Sequence, residues 1–323
     1  MTIERIEAAA ARLAGHVRET PLLSSPALDR IAGRRVLVKA ECLQHTGSFK
    51  ARGGWAAISA LDPDVRARGV IAYSSGNHAQ GVARAAAAHG CPAVIIMPSD
   101  APATKIAGTR ALGAEVVLYD RASGDRDALG AEIAGARGLT LVKPFDDAEV
   151  IAGQGTVGLE IGAQAGVTEA DVLIPCGGGG LTAGVALALE ARAPGLRVRP
   201  VEPEGFDDTA RSLASGRIQA NAARAGSLCD AILTPSPGEM TFPIMARLCG
   251  PGLVVSEEEA LRAMDAAFQH LKIVLEPGGA VALAAALYRP DALAGDAVIA
   301  VASGGNVTRE TFCMALDRAG ETA

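Results

Sequence analysis

Aromatic side chains are scarce in this chain: they make up 3% of its 323 residues, and Trp55 is the single tryptophan. Stacking platforms for single-stranded nucleic acid and large hot-spot interfaces depend on such rings, so both are poorly supplied. An excess of positive charge is missing as well. The 30 Lys and Arg stand against 36 Asp and Glu, a net charge of −6, whereas a nucleic-acid binder must neutralise phosphates. No apolar run approaches the roughly 18 residues that a bilayer span needs. The most apolar helical stretch, Ala280 to Tyr288, is far shorter, and Glu4, Arg5 and Glu7 interrupt any signal-peptide core. These absences predict a cytoplasmic protein with a small-molecule partner and with neither nucleic acid nor membrane. The six cysteines (Cys42, Cys91, Cys176, Cys229, Cys249 and Cys313) include no C-x-x-C pair, and the five histidines lack ligand spacing. Reduced, mostly buried thiols are expected, with no disulfides and no zinc.

What is present is apolar bulk and glycine. A chain of 323 residues exceeds the roughly 250 to 300 at which single cores stop growing, so two lobes are expected. With 49% hydrophobic and 20% charged residues it can bury large cores. Its 38 glycines show no G-x-y period and no low-complexity run; they are placed singly. Short apolar runs alternate with longer amphipathic ones, which predicts an α/β fold of two lobes, with open, mostly parallel sheets and helices on both faces. The strands read as Val36–Lys39, Val70–Tyr73, Ala93–Met97, Glu115–Leu118, Thr140–Val142, Val172–Pro175, Val198–Val201, Leu253–Val255 and Ala297–Ala302. Helices are expected at His78 to His89, Leu181 to Arg192 and Glu257 to Gln269, the last announced by a capping box of Ser256 and Glu259. Residues 67–142 form a small α/β domain on this reading. Residues 1–66 and 143–323 together form a discontinuous large domain.

Three strands run into polar, glycine-bearing turns: Tyr73-Ser74-Ser75-Gly76-Asn77-His78, Pro175-Cys176-Gly177-Gly178-Gly179-Gly180, and Ala302-Ser303-Gly304-Gly305-Asn306. In open α/β sheets ligands bind where strand C-termini meet such turns. Four glycines in a row before a helix expose N–H groups that cradle an anion, and phosphate is the natural guest. A plain tight turn is disfavoured by the backbone entropy of four glycines. The loop is not a Walker A sequence and lacks the spacing of a dinucleotide fingerprint. Lys50 follows the polar turn Thr46-Gly47-Ser48 and Phe49 and precedes an Ala-rich stretch. A lone lysine is usually solvated, but a desolvated one beside a phosphate site suits a Schiff base to a phosphorylated aldehyde cofactor.

The whole run Glu41 to Gly53 resembles the pyridoxal-phosphate enzymes of fold type II (tryptophan-synthase-β-like), and within them the serine/threonine dehydratase and serine racemase family, which includes 3-hydroxyaspartate dehydratases. The resemblance extends from Glu19-Thr20-Pro21-Leu22-Leu23 through Ile151-Ala152-Gly153-Gln154-Gly155-Thr156 and Leu275-Glu276-Pro277-Gly278-Gly279-Ala280 to Ser303-Gly304-Gly305-Asn306-Val307. It implies that Lys50 carries pyridoxal phosphate, that Gly177, Gly178, Gly179 and Gly180 hold its phosphate, that Phe49 packs on its ring, that Asn77 meets the ring hydroxyl and that Ser303 faces the ring nitrogen. A neutral hydroxyl there leaves that nitrogen unprotonated, which favours expulsion of a β-leaving group over transamination.

The activity so implied is removal of water from a 3-hydroxy amino acid, giving a 2-oxo acid and ammonia. Ser74, Ser75, Asn77 and His78 would grip the substrate carboxylate and Lys50 would take the Cα proton; a capping or core role for His78 is equally open. Threonine, serine and 3-hydroxyaspartate all remain candidates, with His45, Arg126 and Lys143 as cations able to meet a second carboxylate. Racemisation of serine or aspartate is the rival within the family, since Ser75 matches the acid/base on the face opposite Lys50. A non-catalytic or nicotinamide-binding protein is the rival from outside it. Glu202, Asp208 and the Phe206 carbonyl resemble a divalent-cation site suited to Mg²⁺, or Ca²⁺ or Mn²⁺; on the residues alone, Glu202 to Asp208 reads as a solvated acidic loop. A homodimer without a C-terminal regulatory domain completes the expectation.

Overall fold

The computed structural model describes residues 1–320 apart from Ser75, Pro102, residues 121–124 and Arg224. Ten strands among them fall into two sheets: β1 (Leu22–Ser24), β2 (Arg35–Lys39), β3 (Val70–Tyr73), β4 (Ala93–Pro98), β5 (Glu115–Tyr119), β6 (Thr140–Leu141), β7 (Ala170–Pro175), β8 (Leu196–Pro203), β9 (Leu253–Val255) and β10 (Ala297–Val301). The six-stranded sheet runs β1-β2-β10-β7-β8-β9, and the four-stranded one β5-β4-β3-β6. All pairings are parallel except β1 with β2. Every residue of β10, β7 and β4 is buried, as parallel strands covered on both faces require. The nine expected strands are all present, with ends moved by at most two residues. The antiparallel β1 was not anticipated, because three residues are too few to show a period.

Because β2, β10 and β7 are parallel neighbours, their C-terminal ends share one edge of the sheet. From that edge emerge the segment leading to Lys50, the Ser303 turn and the glycine loop. Two very close helix contacts then set the position of Lys50. A Cβ at Gly81, in the Asn77–Ala88 helix, would lie 2.6 Å from the Lys50 carbonyl oxygen, and one at Gly54, in the Lys50–Ser59 helix, 2.7 Å from Gly81. Glycine at both sites lets the two backbones meet with no side chain between them.

Beneath the Lys50–Ser59 helix lies a buried ion network. The Arg52 guanidinium, fully buried, donates to both Glu41 oxygens (2.8 and 2.7 Å) and to Glu160 (2.6 and 2.9 Å), and Lys39 donates to Glu160 (2.5 Å). Burial alone would lower the Arg52 pKa, but Glu41 and Glu160 outweigh it and hold the group firmly charged. Removing one partner from such a network typically costs about 3 to 5 kcal/mol, because a buried charge is left unpaired. The network fastens the segment before Lys50 to the Ala148–Gln164 helix. Among the described residues no helix is long and apolar enough to cross a membrane, and all six cysteines are free thiols.

Candidate active site

The strand ends open on a cleft of about 520 Å³. Lys50 begins its helix at the cleft wall and donates from Nζ to the Pro144 carbonyl at 2.6 Å, while the Phe49 ring centroid lies 5.2 Å from Nζ. Burial disfavours the ammonium and brings the Lys50 pKa down to about 8. A lysine in that state holds a substantial neutral fraction near neutral pH, as a nucleophile or base requires.

Facing it are Asn77, Ser303 and the glycine loop, all in the cleft lining. Asn77 Oδ1 accepts from Asn306 Nδ2 at 2.7 Å, and its Nδ2 donates to Glu276 at 2.6 Å, so both ends of the amide are orientated. Glu276, whose place before a proline and two glycines suggests no role of its own, is 3% exposed; its pKa rises to about 7 through burial, opposed by the Asn77 hydrogen bond. Ser303 is buried, and its carbonyl accepts from the Phe49 N–H at 3.1 Å, tying the third turn to the lysine segment.

The glycine loop suits a phosphate on its own geometry. Gly179 has φ +88°, in the left-handed region, and caps the Gly180–Arg192 helix. The N–H groups of Gly177, Gly178, Gly179 and Gly180 have no backbone acceptor among the described residues. A Cβ at Gly178 would collide with the Phe145 ring, and one at Gly180 would stand 2.6 Å from Gln154 Oε1. A compact cradle of unpaired N–H donors at a helix N-terminus is matched to a dianion.

Around the turn after β3, Ser74 Oγ accepts from the Gly76 N–H at 3.1 Å. Ser75 lies outside the described residues. His78 lines the cleft but is 3% exposed, with Nε2 2.9 Å from the Val142 carbonyl, so that nitrogen carries the proton and donates. Burial first, and the nearby Lys50 second, push its pKa down to about 3 and keep it neutral. Of the three cations considered for a second carboxylate, Arg126 lines the cleft, 5.4 Å from the Tyr73 ring centroid; His45 and Lys143 do not line it. A fourth, Lys105, does. It was missed because a lysine in the Ala103–Ala111 helix carries no local signal.

Glu202 and Asp208 come together at the start of the Asp208–Ser215 helix, whose Thr209 hydroxyl lies 3.5 Å from the Cys176 thiol just before the glycine loop. Glu202 is fully buried and accepts from the Thr209 and Ala210 N–H groups at 2.9 and 2.8 Å. Burial, then Asp208, raise its pKa to about 8, and burial raises that of Asp208 to about 6. Asp208 Oδ1 accepts from Asn221 at 2.5 Å, whereas its Oδ2 is buried without a hydrogen-bond partner among the described residues. Two buried carboxylates, one with an unpaired oxygen, do not make a solvated loop, and among the described residues no group of three or more His, Cys, Asp or Glu gathers to hold a metal.

The family model described as pyridoxal-phosphate dependent enzyme matches residues 13–304. An L-threo-3-hydroxyaspartate ammonia-lyase from Pseudomonas sp is 41% identical, the match covering 95% of this chain and 96% of that protein. Among solved structures, a threonine deaminase from T.th. superposes with a TM-score of 0.90 at 45% identity, covering 95% of this chain and 99% of that one. Maize serine racemase does so at 0.92 and 34%, covering 99% and 98%. A cleft with a desolvated lysine facing a glycine phosphate cradle, carried on this sheet arrangement, therefore has its explanation: the chain belongs to the pyridoxal-phosphate dependent enzymes, in their fold type II branch of hydroxy-amino-acid dehydratases and racemases.

Proposed function

We propose that this carbon–nitrogen lyase, which eliminates water from a 3-hydroxy amino acid to give a 2-oxo acid and ammonia, takes 3-hydroxyaspartate in preference to threonine and serine. The observation that carries the choice is that Lys105 and Arg126 line the cleft together with Asp100 and Asp230, and that Lys105 meets the exposed Asp230 carboxylate at 3.3 Å, a partner that a second substrate carboxylate can replace where a methyl group or hydrogen cannot. The relative from Pseudomonas is named for that substrate.

In this reading Gly177 to Gly180 hold the phosphate of pyridoxal phosphate, Phe49 covers its ring, Asn77 meets its hydroxyl, Ser303 faces its nitrogen and Lys50 anchors it. The chemistry that pyridoxal phosphate supplies when bound is an electron sink that makes the Cα–H of an amino acid acidic. Around that sink the protein's own groups do the positioning and the proton transfer. The N-terminus of the Asn77–Ala88 helix, with Ser74, Ser75, Asn77 and the backbone at His78, receives the α-carboxylate. Once the substrate amine has displaced it from the cofactor, Lys50 Nζ, poised by burial, would take the Cα proton; the β-hydroxyl would leave with one proton as water, and hydrolysis of the resulting enamine would give the 2-oxo acid and ammonia. Phe145 and the glycine wall restrict solvent on the phosphate side.

Glu202, Asp208 and the Phe206 carbonyl hold a divalent cation, Mg²⁺ before Ca²⁺ or Mn²⁺, as a structural support for the start of the Asp208–Ser215 helix; the unpaired Asp208 Oδ2 supports this. Residues 67–142 act as a small lobe over the cleft, and the enzyme works as a cytoplasmic homodimer, a placement that the six free thiols favour.

A panel of L-threonine, L-serine and the four isomers of 3-hydroxyaspartate, scored by ammonia release and by chiral analysis of residual substrate, tests the reading. The highest kcat/KM is expected for a 3-hydroxyaspartate isomer. A preference for threonine or serine refutes it, and D-isomer formation outpacing ammonia puts racemisation first.

A further inference from the structure

Gln154 lies in the Ala148–Gln164 helix, is fully buried and lines the cleft. Neither its Oε1 nor its Nε2 has a hydrogen-bond partner among the described residues. A primary amide carries two donors and two acceptor lone pairs, and burying all of them unpaired is costly. An apolar residue of similar volume would fill the same space without that cost, so the amide needs a ligand to explain it.

Its surroundings identify the ligand. A Cβ placed at Gly180 would lie 2.6 Å from Gln154 Oε1, and one placed at Gly53 would lie 3.1 Å from Nε2. The amide therefore spans the gap between the first turn of the helix that follows the glycine loop and the helix that begins with Lys50. Phe145 closes the same corner, its Cα and Cβ being 3.0 Å from that Gly180 position. This corner belongs to the glycine cradle. A half-turn of the terminal amide exchanges its oxygen and nitrogen at little cost, so the N–H₂ group can point toward the cradle.

We propose that Gln154 is a side-chain ligand of the cofactor phosphate, donating an amide N–H alongside the backbone N–H groups of Gly177 to Gly180. The glycine loop supplies donors that belong to the backbone, and Gln154 adds a neutral one from the opposite wall. Its donor reaches the anion without introducing a charge beside Lys50, and so leaves that amine's low pKa undisturbed. The assignment is independent of which hydroxy amino acid the enzyme consumes.

The test compares wild type with Gln154→Met and Gln154→Glu, both close in shape to glutamine. Each holoenzyme is stripped with hydroxylamine and titrated with pyridoxal phosphate and, separately, with pyridoxal, which has no phosphate. The Met variant is expected to bind pyridoxal phosphate about 10- to 100-fold more weakly, the range for a lost hydrogen bond to a charged group, and pyridoxal within about twofold of wild type. The Glu variant loses more, because a carboxylate opposes the dianion. In thermal melts the Met apoenzyme is as stable as wild type or more so, since an unpaired amide has gone, while its gain on adding pyridoxal phosphate is smaller. Unchanged affinity for pyridoxal phosphate overturns the proposal. So does an equal loss for both ligands, or a destabilised apoenzyme that keeps the full cofactor gain. If the Met variant does not fold, the Glu variant and Gln154→Asn, which withdraws the amide by one methylene, are read in the same way.

Discussion

Lys105 Nζ lies 3.3 Å from Asp230 Oδ2 and joins the Ala103–Ala111 helix to the turn at Asp230–Ile232 across the mouth of the cleft. Asp230 is 62% exposed and Lys105 only 16%. A pair with one partner so open to water contributes about 0 to 1 kcal/mol, so the lysine can exchange it for an incoming carboxylate at little cost. Lys105→Met is therefore expected to lower kcat/KM for 3-hydroxyaspartate by about 10-fold, the value of one partly desolvated charge-assisted hydrogen bond. Turnover of threonine or serine changes less than about twofold. Parallel steady-state kinetics on the three substrates check this, and an equal loss on all three would assign Lys105 a structural role instead.

Glu276 should make stability depend on pH. Its folded pKa of about 7 stands above the ordinary 4.5 because burial disfavours the carboxylate. Raising a carboxylate's pKa on folding means that the native state binds more protons between those two values. Its contribution is thus fully favourable below about pH 4.5, declines as pH climbs toward 7, and is a constant penalty above. Glu276→Gln keeps an acceptor for Asn77 and removes the ionisation. Denaturant unfolding of the apoenzyme at about pH 8 should show the variant more stable by on the order of 2 kcal/mol, with the difference shrinking toward about pH 5. A difference that does not vary with pH would mean that Glu276 ionises alike in the folded and unfolded chains, and would refute the raised pKa.

Much of the site could be read from residues in a row. Lys50 after Thr46-Gly47-Ser48-Phe49, four glycines before a helix and Ser303 at a strand end are local patterns, and the strands show because each is a short apolar run. Gln154, Glu276, Lys105 and Asp230 acquire their roles only when distant segments meet. A glutamine inside an apolar helix looks like any other until its neighbours prove unable to pair with it. His78 shows how little its position alone decides: its Nε2 donates to Val142, while its buried Nδ1, in the cleft lining, has no hydrogen-bond partner among the described residues. Helical glycines are silent in the same way: Gly54, Gly81, Gly155 and Gly184 lie in helices at backbone contacts, and nothing in their own segments announces the neighbour they must admit.

At the carboxylate pair, chelation should cost stability. Asp208 Oδ2 is buried and unpaired among the described residues, so the divalent cation proposed above would supply its missing partner. A cation at about 100 times its Kd adds about 2.7 kcal/mol, enough to move the melting temperature of a chain this size by several degrees. EDTA should lower the holoenzyme's Tm by that amount and Mg²⁺ should restore it. Asp208→Asn, which removes one charge and one ligand, should melt at the same temperature with and without EDTA. A wild-type Tm indifferent to chelation would leave the pair a capping device for the helix that begins at Asp208.

The backbone contact between the Lys50 and Asn77 helices should tolerate no added methyl group. At Gly81 a methyl group would sit 2.6 Å from the Lys50 carbonyl oxygen, and since the obstacle is backbone it cannot swing aside. Gly81→Ala must push the two helices apart, at about 1 to 3 kcal/mol, and shift Lys50 relative to the glycine cradle. Gly108→Ala is the control: that glycine is also helical, and nothing lies within 4 Å of its added Cβ, so alanine there is expected to stabilise by roughly 0.5 to 1 kcal/mol through helix propensity alone. Thermal melts of the apoenzymes separate the two signs. The Gly81→Ala variant should also lose affinity for pyridoxal phosphate and for pyridoxal alike, because displacement of Lys50 affects the aldehyde end that both share. Loss confined to pyridoxal phosphate would show that the helix contact sets the cradle rather than the lysine.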